Sequence, residues 1–464
     1  LAQSTPNFTG TLPECCFSIP QNFIEFGSVV LESIPLVLSL LSITSAQSNF
    51  QQDLRPTTTS PTRNQSSAHY ILPPPSESQE ILQDVSDSST SFALDLLVRF
   101  TDATSPGRNN FIVSPFSIWS LLLPLVEGAA GNTLAQMQSV LRLNKKRSLA
   151  LAYRAVKNYL RLDTPSVKVS SLLTIFTDKN QPVNNDYQKT LERQYDPNLF
   201  YPIDFQDPAK AATLINDEVR TATNNLIQRA VVPQDLENAK LVLLSSLFFK
   251  GQWKTPFNES MTRSEPFYDE AGRQIGNVDM MVKIGRFNYA GMDDLAGHVL
   301  ELPYGEDERV TMLLILPRKG VSLPQVARNL QKIRIAPIFD KLARDAVGYE
   351  DEEVEVVVPK FTSTSDFVIN RLLIDMGIID LFGLNADLTK IDSGLYLQRM
   401  LHSTKIIVDE KGTTAAGVTT AMLTNKATPP KFLLNRPFIY MIVEKPTNMI
   451  LFSGQLMNPN NVAA

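Results

Sequence analysis

Three histidines, two cysteines and one isolated lysine mark where this chain of 464 residues could do chemistry. A nucleophile–histidine–acid site would need His298 or His402, because His69 lies in a polar Ser/Thr/Pro/Gln-rich stretch that cannot build a core. The sequence holds no Gly-x-Ser-x-Gly elbow, no glycine-rich phosphate loop and no Cys or His spacing suited to zinc. Asp351, Glu352 and Glu353 read as a solvated charge run rather than paired catalytic carboxylates. Cys15 and Cys16 are adjacent, and neighbouring cysteines rarely bridge, so no disulfide framework is expected. An enzyme is therefore not expected, nor a metal or cofactor site. The lysine is Lys426, the only charge in the nineteen residues from Gly412 to Pro430. Long structureless segments in compact domains are usually functional or disordered. This one lacks the acidic, Gln and Ser content of a disordered tail.

The elements around Lys426 suggest a segment with two homes. Ile406, Ile407 and Val408 form a β-branched run that reads as a strand leading into it. With a period of two, one face carries Thr413, Ala415, Gly417, Thr419 and Ala421, all small. The other carries Thr414, Ala416, Val418, Thr420 and Met422. Such a strand could enter a sheet without overpacking the core beneath it.

The stretch Glu410-Lys411-Gly412-Thr413 with Ala415-Ala416 resembles the hinge of a serpin reactive-centre loop, with Thr414 where an acidic residue is common. Pro437-Phe438 and Phe452-Ser453-Gly454-Gln455-Leu456-Met457-Asn458-Pro459 resemble that family's closing signature. In the family the scissile residue lies sixteen positions after the hinge glutamate, which falls on Lys426. The resemblance implies an α+β fold with a large central mixed β-sheet, further sheets, about eight to nine helices and an exposed reactive-centre loop. It implies hinge residues Glu410, Gly412, Thr413, Ala415 and Ala416, and a reactive bond between Lys426 and Ala427. It also implies shutter and breach residues Ser114, Ser117, Ser245, Trp253 and His402. Ser245 stands where the family usually has Asn, so its shorter side chain is expected to reach its partners only through water.

In chain order, residues 1–46 include an apolar run, Ile34 to Ile43, followed by Thr44-Ser45-Ala46, the pattern of a signal peptide, although no Lys or Arg precedes Arg55. Residues 47–81 are expected to be a disordered extension and residues 82–464 the serpin domain. A helix is expected from about Leu82, a buried one after Pro115, and an amphipathic one over Pro208 to Ala230. Leu241 to Phe249 reads as a buried strand. Asn64 and Asn258 head glycosylation sequons, meaningful if the chain is secreted. Lys145, Lys146, Arg147, Arg154, Lys157 and Arg161 form one basic cluster, read as a solvated face or as a site for a heparin-like glycosaminoglycan.

The net charge of −5 argues against a nucleic-acid partner, and Ile34 to Ile43 is too short to span a membrane. The function implied by the resemblance is a secreted, monomeric inhibitor of trypsin-like serine proteases, similar to arthropod members of the family, that traps its target as a covalent complex by loop insertion. The alternative is a non-inhibitory carrier, storage protein or chaperone. The small residues at Thr413, Ala415 and Ala416 favour inhibition, because non-inhibitory members often place bulky, charged or proline residues there.

Overall fold

The run Leu241 to Phe249, apolar but for Ser245 and Ser246, can satisfy both of its faces only inside a covered sheet. It forms β4 (Leu241–Gly251) in the middle of a five-stranded sheet. The computed structural model describes residues 76–104, 109–143, 148–157, 159, 162–181, 183–348, 353–412 and 429–461. The sheet's other members are β2 (Val167–Asp178), β3 (Phe200–Ile203), β11 (Phe361–Val368) and β12 (Arg399–Val408), in the order β11-β12-β4-β2-β3. β11 with β12 and β4 with β2 pair antiparallel, whereas β12 with β4 and β2 with β3 pair parallel. The sheet is mixed, as the sequence implied.

A six-stranded sheet, β1-β15-β14-β9-β8-β7, joins β1 (Phe111–Val113), β15 (Met449–Leu456), β14 (Phe438–Glu444), β9 (Val310–Pro317), β8 (Gly297–Tyr304) and β7 (Tyr289–Met292). A four-stranded sheet, β13-β10-β6-β5, joins β13 (Lys431–Leu433), β10 (Val354–Pro359), β6 (Gln274–Gly285) and β5 (Arg263–Tyr268). Nine α-helices occur among the described residues: α1 (Ser76–Thr104), α2 (Pro115–Gly128), α3 (Gly131–Val140), α4 (Leu149–Lys157), α5 (Asn185–Gln194), α6 (Pro208–Ala222), α7 (Leu323–Ile333), α8 (Ala336–Gly348) and α9 (Asn370–Met376).

Two helices set the environment of the central sheet. In α2 every residue but Glu127 is buried, which explains why it is apolar almost all round. Ser114 caps its first turn by accepting from the Ser117 N–H, Pro115 starts the helix, and the helix packs against β4 and β15. On the sheet's other face, Ala211, Ala212, Ile215 and Val219 of α6 form a core with Val242, Leu244 and Leu401.

Two boundaries differ from expectation. Helix α1 begins at Ser76, six residues before Leu82 and inside the stretch assigned to the extension. Ser76 followed three residues later by Gln79, directly after Pro73-Pro74-Pro75, is the local signal for that start. Helix α6 stops at Ala222 rather than Ala230. Asn224 and Asn225 adopt left-handed backbone, φ 50° and 61°, and the Thr223 hydroxyl turns back to the Val219 carbonyl and accepts from the Ile227 N–H.

Candidate functional site: the seam between β12 and β4

β12 and β4 run side by side in parallel from Arg399 opposite Val242 to Ile406 opposite Phe249. The chain leaves β12 through Asp409-Glu410-Lys411-Gly412, where the described residues pause before resuming at Pro429. A strand that turned back from Gly412 would run antiparallel to β12, and therefore antiparallel to β4 as well. Parallel pairing is slightly the less stable kind, and of the sheet's two parallel pairs this is the one beside which the chain leaves at Gly412, so a strand added here would replace one parallel ladder by two antiparallel ones. Two clusters of side chains make contacts across it and at its end.

The first lies midway along the seam. His402 and Ser245 are register partners and both are fully buried. The Ser114 N–H donates to His402 Nε2 at 2.9 Å, which leaves the imidazole proton on Nδ1, 3.2 Å from Ser245 Oγ. Ser245 Oγ then accepts from His402 and donates to Ser117 Oγ at 2.7 Å, and the Ser117 hydroxyl donates to the Ser114 carbonyl at 2.9 Å. The Ser114 hydroxyl donates to the Leu451 carbonyl at 2.8 Å, tying the N-terminus of α2 to β15. Every proton in this chain has one direction, and burial keeps His402 neutral by pushing its pKa down to about 3.

This arrangement corrects the expectation for Ser245. It reaches Ser117 and His402 directly rather than through water, because α2 presents Ser117 close beneath the strand. The smaller side chain still makes both contacts.

The second cluster sits where the chain leaves β12. Trp253 stacks on the buried Tyr304 ring, with centroids 4.5 Å apart and planes 14° from parallel. Its indole N–H donates to the Asp409 carbonyl at 2.9 Å and its backbone N–H to the Lys411 carbonyl at 3.2 Å. Gly412 bridges to Gln252 with φ +105°. A Cβ there would lie 2.4 Å from the Gly251 carbonyl oxygen and 2.5 Å from the Trp253 nitrogen, so only glycine fits. Glu410 is 4% exposed yet charged, accepting from the Thr262 hydroxyl at 2.7 Å and pairing with Lys360 at 3.0 Å. Burial works against its charge, but Thr262 and Lys360 outweigh it and hold the carboxyl below the usual range.

Of the sequence-derived site residues, the structure joins Ser114, Ser117, Ser245 and His402 in one cluster and Trp253, Glu410 and Gly412 in the other. Thr413, Ala415, Ala416, Lys426 and Ala427 lie outside the described residues, as do Asn64, Lys145, Lys146, Arg147 and Arg161. Arg154 donates to the Gln194 carbonyl at 3.1 Å, and Lys157 pairs with the buried Asp196 at 3.2 Å, so these two cations serve packing against α5. Asn258 is half-buried beside the hinge, where its Oδ1 accepts from the Ser260 N–H at 3.0 Å and hydroxyl at 2.9 Å. Next to it the Phe257 N–H donates to the Glu410 carbonyl at 2.8 Å, and Glu259 pairs with Lys411 at 3.1 Å. Sequence reasoning missed Tyr304, Thr262 and Lys360, which carry no local signal because their partners are remote in the chain.

The model of the serpin family, described as serine protease inhibitor, matches residues 87–459. The chain is a serpin. This serpin is 32% identical over 393 residues to mouse antithrombin-III, covering 81% of this chain and 82% of that protein. It is 30% identical over 387 residues to pig leukocyte elastase inhibitor, covering 82% of this chain and all of the relative, 100%. The solved structure of human thyroxine-binding globulin superposes with a TM-score of 0.71 at 25% identity, covering 82% of this serpin and 99% of that chain. The chain that carries this sheet order and these two clusters thus belongs to a family described as serine protease inhibitors. Among the described residues of this serpin, no helix is long and apolar enough to cross a membrane.

Proposed function

We propose that this serpin is a secreted suicide inhibitor of trypsin-like serine proteases, cut between Lys426 and Ala427. The observation that carries the reading is the parallel seam between β12 and β4, at one end of which the chain leaves β12 at Gly412. A target protease whose specificity pocket ends in a carboxylate needs a long cation, and Lys426 is the only one between Gly412 and Pro430. Attack by the protease serine on the Lys426 carbonyl expels the Ala427 amine and leaves Lys426 esterified to the enzyme. Freed from its downstream anchor, the segment from Thr413 enters the seam as a new antiparallel strand.

The fourteen residues Thr413 to Lys426 extend about 45 Å at ~3.3 Å each, enough to carry an attached protease along the length of the sheet. Exchanging one ladder for two adds roughly fifteen backbone hydrogen bonds, or on the order of 10–20 kcal/mol at ~0.5–1.5 kcal/mol net apiece. That matches or exceeds the whole stability of an ordinary domain, about 5–15 kcal/mol, and is sufficient to distort the trapped enzyme before water cleaves the ester. The small residues at Thr413, Ala415 and Ala416 let the strand enter without displacing α2 or α6.

The test mixes the protein with bovine trypsin and with chymotrypsin. A denaturant-stable adduct with trypsin, and intact mass placing the cut after Lys426, are the expected results. Lys426→Ala removes the adduct with trypsin. A protein cleaved at Lys426 with no adduct and no gain in heat resistance would overturn inhibition and leave the carrier, storage or chaperone reading.

A further inference from the structure

At the opposite end of β14 from its turn into β15, a cavity of about 430 Å³ opens between the four-stranded and six-stranded sheets. Its walls are the β5–β6 turn (Tyr268 to Gly272), the chain entering α7 (Pro317 to Val321) and the connector Asn435-Arg436-Pro437 between β13 and β14. The walls are fastened to one another. The Tyr268 N–H donates to the Asn435 carbonyl at 2.9 Å, and Glu270 accepts from the Leu323 N–H at 3.2 Å at the start of α7. The volume lies in the range of small-molecule sites.

The charges around this cavity do not balance locally. Arg436 is half-buried, and its guanidinium donates at 2.9 Å to the neutral Pro317 carbonyl rather than to a carboxylate. Lys319 lines the same cavity and forms no ion pair among the described residues. The two acids of the lining are both engaged. Asp269 holds Arg273 and the backbone N–H groups of its own turn, and Glu270 caps α7. Arg318 adds a third cation and pairs with Asp293, which is outside the lining. Burial, with the positive charge of Arg318 and Arg436 added to it, holds the nearby His298 imidazole below its usual range. A half-buried guanidinium without a carboxylate is costly unless something supplies one, and Pro317, Val321, Pro437 and the Tyr268 ring offer apolar surface beside it.

We propose that this cavity is a binding site for a small organic anion, a carboxylate or sulfonate on a flat apolar body, with Arg436 gripping the anionic group and Lys319 adding charge at the mouth. The inference is independent of whether the protein inhibits proteases, because neither the seam nor Lys426 takes part.

Isothermal titration of the full chain with 2-naphthoate and with its neutral counterpart 2-naphthamide tests this. The acid is expected to bind at least tenfold more tightly than the amide, and its affinity should fall as salt is raised. Arg436→Met should weaken naphthoate at least tenfold and leave naphthamide unchanged. Because Arg436 also fastens Pro317, two variants at exposed positions accompany it. Lys319→Met should weaken the acid a few-fold, and Ala271→Trp should block both compounds by filling the cavity. No binding of naphthoate at millimolar concentration to the folded protein, or equal affinity for acid and amide, overturns the proposal. So does naphthoate binding that Lys319→Met and Ala271→Trp leave unchanged.

Discussion

Acidification should weaken the lock on the seam through His402, and the size of the effect can be worked out. Its Nε2 accepts from the Ser114 N–H, so a second proton would set two N–H groups against each other inside the core. Burial accordingly pushes its pKa from the ordinary 6.5 to about 3. The unfolded chain takes up the proton below about pH 6.5, whereas the native protein resists until about pH 3. The stability contributed by a neutral His402 is therefore complete above about pH 6.5 and drains away as the pH falls towards 3. At pH 5 the gap of about 1.5 units at 1.36 kcal/mol each amounts to roughly 2 kcal/mol. The assay is urea unfolding of wild type and His402→Gln at pH 7.5 and pH 5.0, following the first transition by tryptophan fluorescence. Carboxylates common to both proteins cancel in the difference, so wild type should lose about 2 kcal/mol more than the variant over this range. Equal pH dependence in the two proteins would refute a neutral, proton-excluding His402.

At the mouth of the seam, Gly412→Ala combines a left-handed backbone with a Cβ 2.4 Å from the Gly251 carbonyl oxygen. It should destabilise the uncleaved protein by about 1–3 kcal/mol, measured by calorimetry, and unchanged melting would refute the anchoring role. Thr413→Arg should force an unpaired guanidinium beneath the inserting strand and slow insertion past ester hydrolysis. The variant should then be cut by trypsin after Lys426 while leaving the protease active, and persistence of a stable adduct would contradict entry at Thr413. Arg154 and Lys157 serve packing against α5, so heparin should change the rate of trypsin inhibition by less than about twofold even at low ionic strength. An acceleration that fades with added salt would instead assign the basic cluster to a polyanion.

Much of this protein is legible in its sequence because local chemistry dictates it. The run Leu241 to Phe249 is apolar on both faces and can only be a covered strand. Ser114-Pro115 must open a helix, and the residues after it are too apolar to lie anywhere but inside. Lys426 is singled out because its neighbours are uncharged and the expected hinge because its residues are small, and both expectations rest on the sequence alone. Boundaries were less legible, since Asn224 and Asn225 end α6 by adopting a conformation that the helical pattern does not forbid.

What only the tertiary structure decided is who meets whom across the seam. Strand order is a property of chain topology, so nothing local announces that β12 lies parallel to β4 and sets His402 opposite Ser245. Whether a serine can do the work of a longer side chain depends on how closely α2 approaches the sheet, a matter of packing distance rather than residue type. Glu410 finds its partners in Thr262, just before β5, and in Lys360, between β10 and β11, and Tyr304 reaches Trp253 from the six-stranded sheet. Residue types, spacing and family motifs thus single out the segment after Gly412 as the one expected to insert. The contacts made where the chain leaves β12 arise between groups far apart in the chain, and only folding brings these within hydrogen-bonding distance.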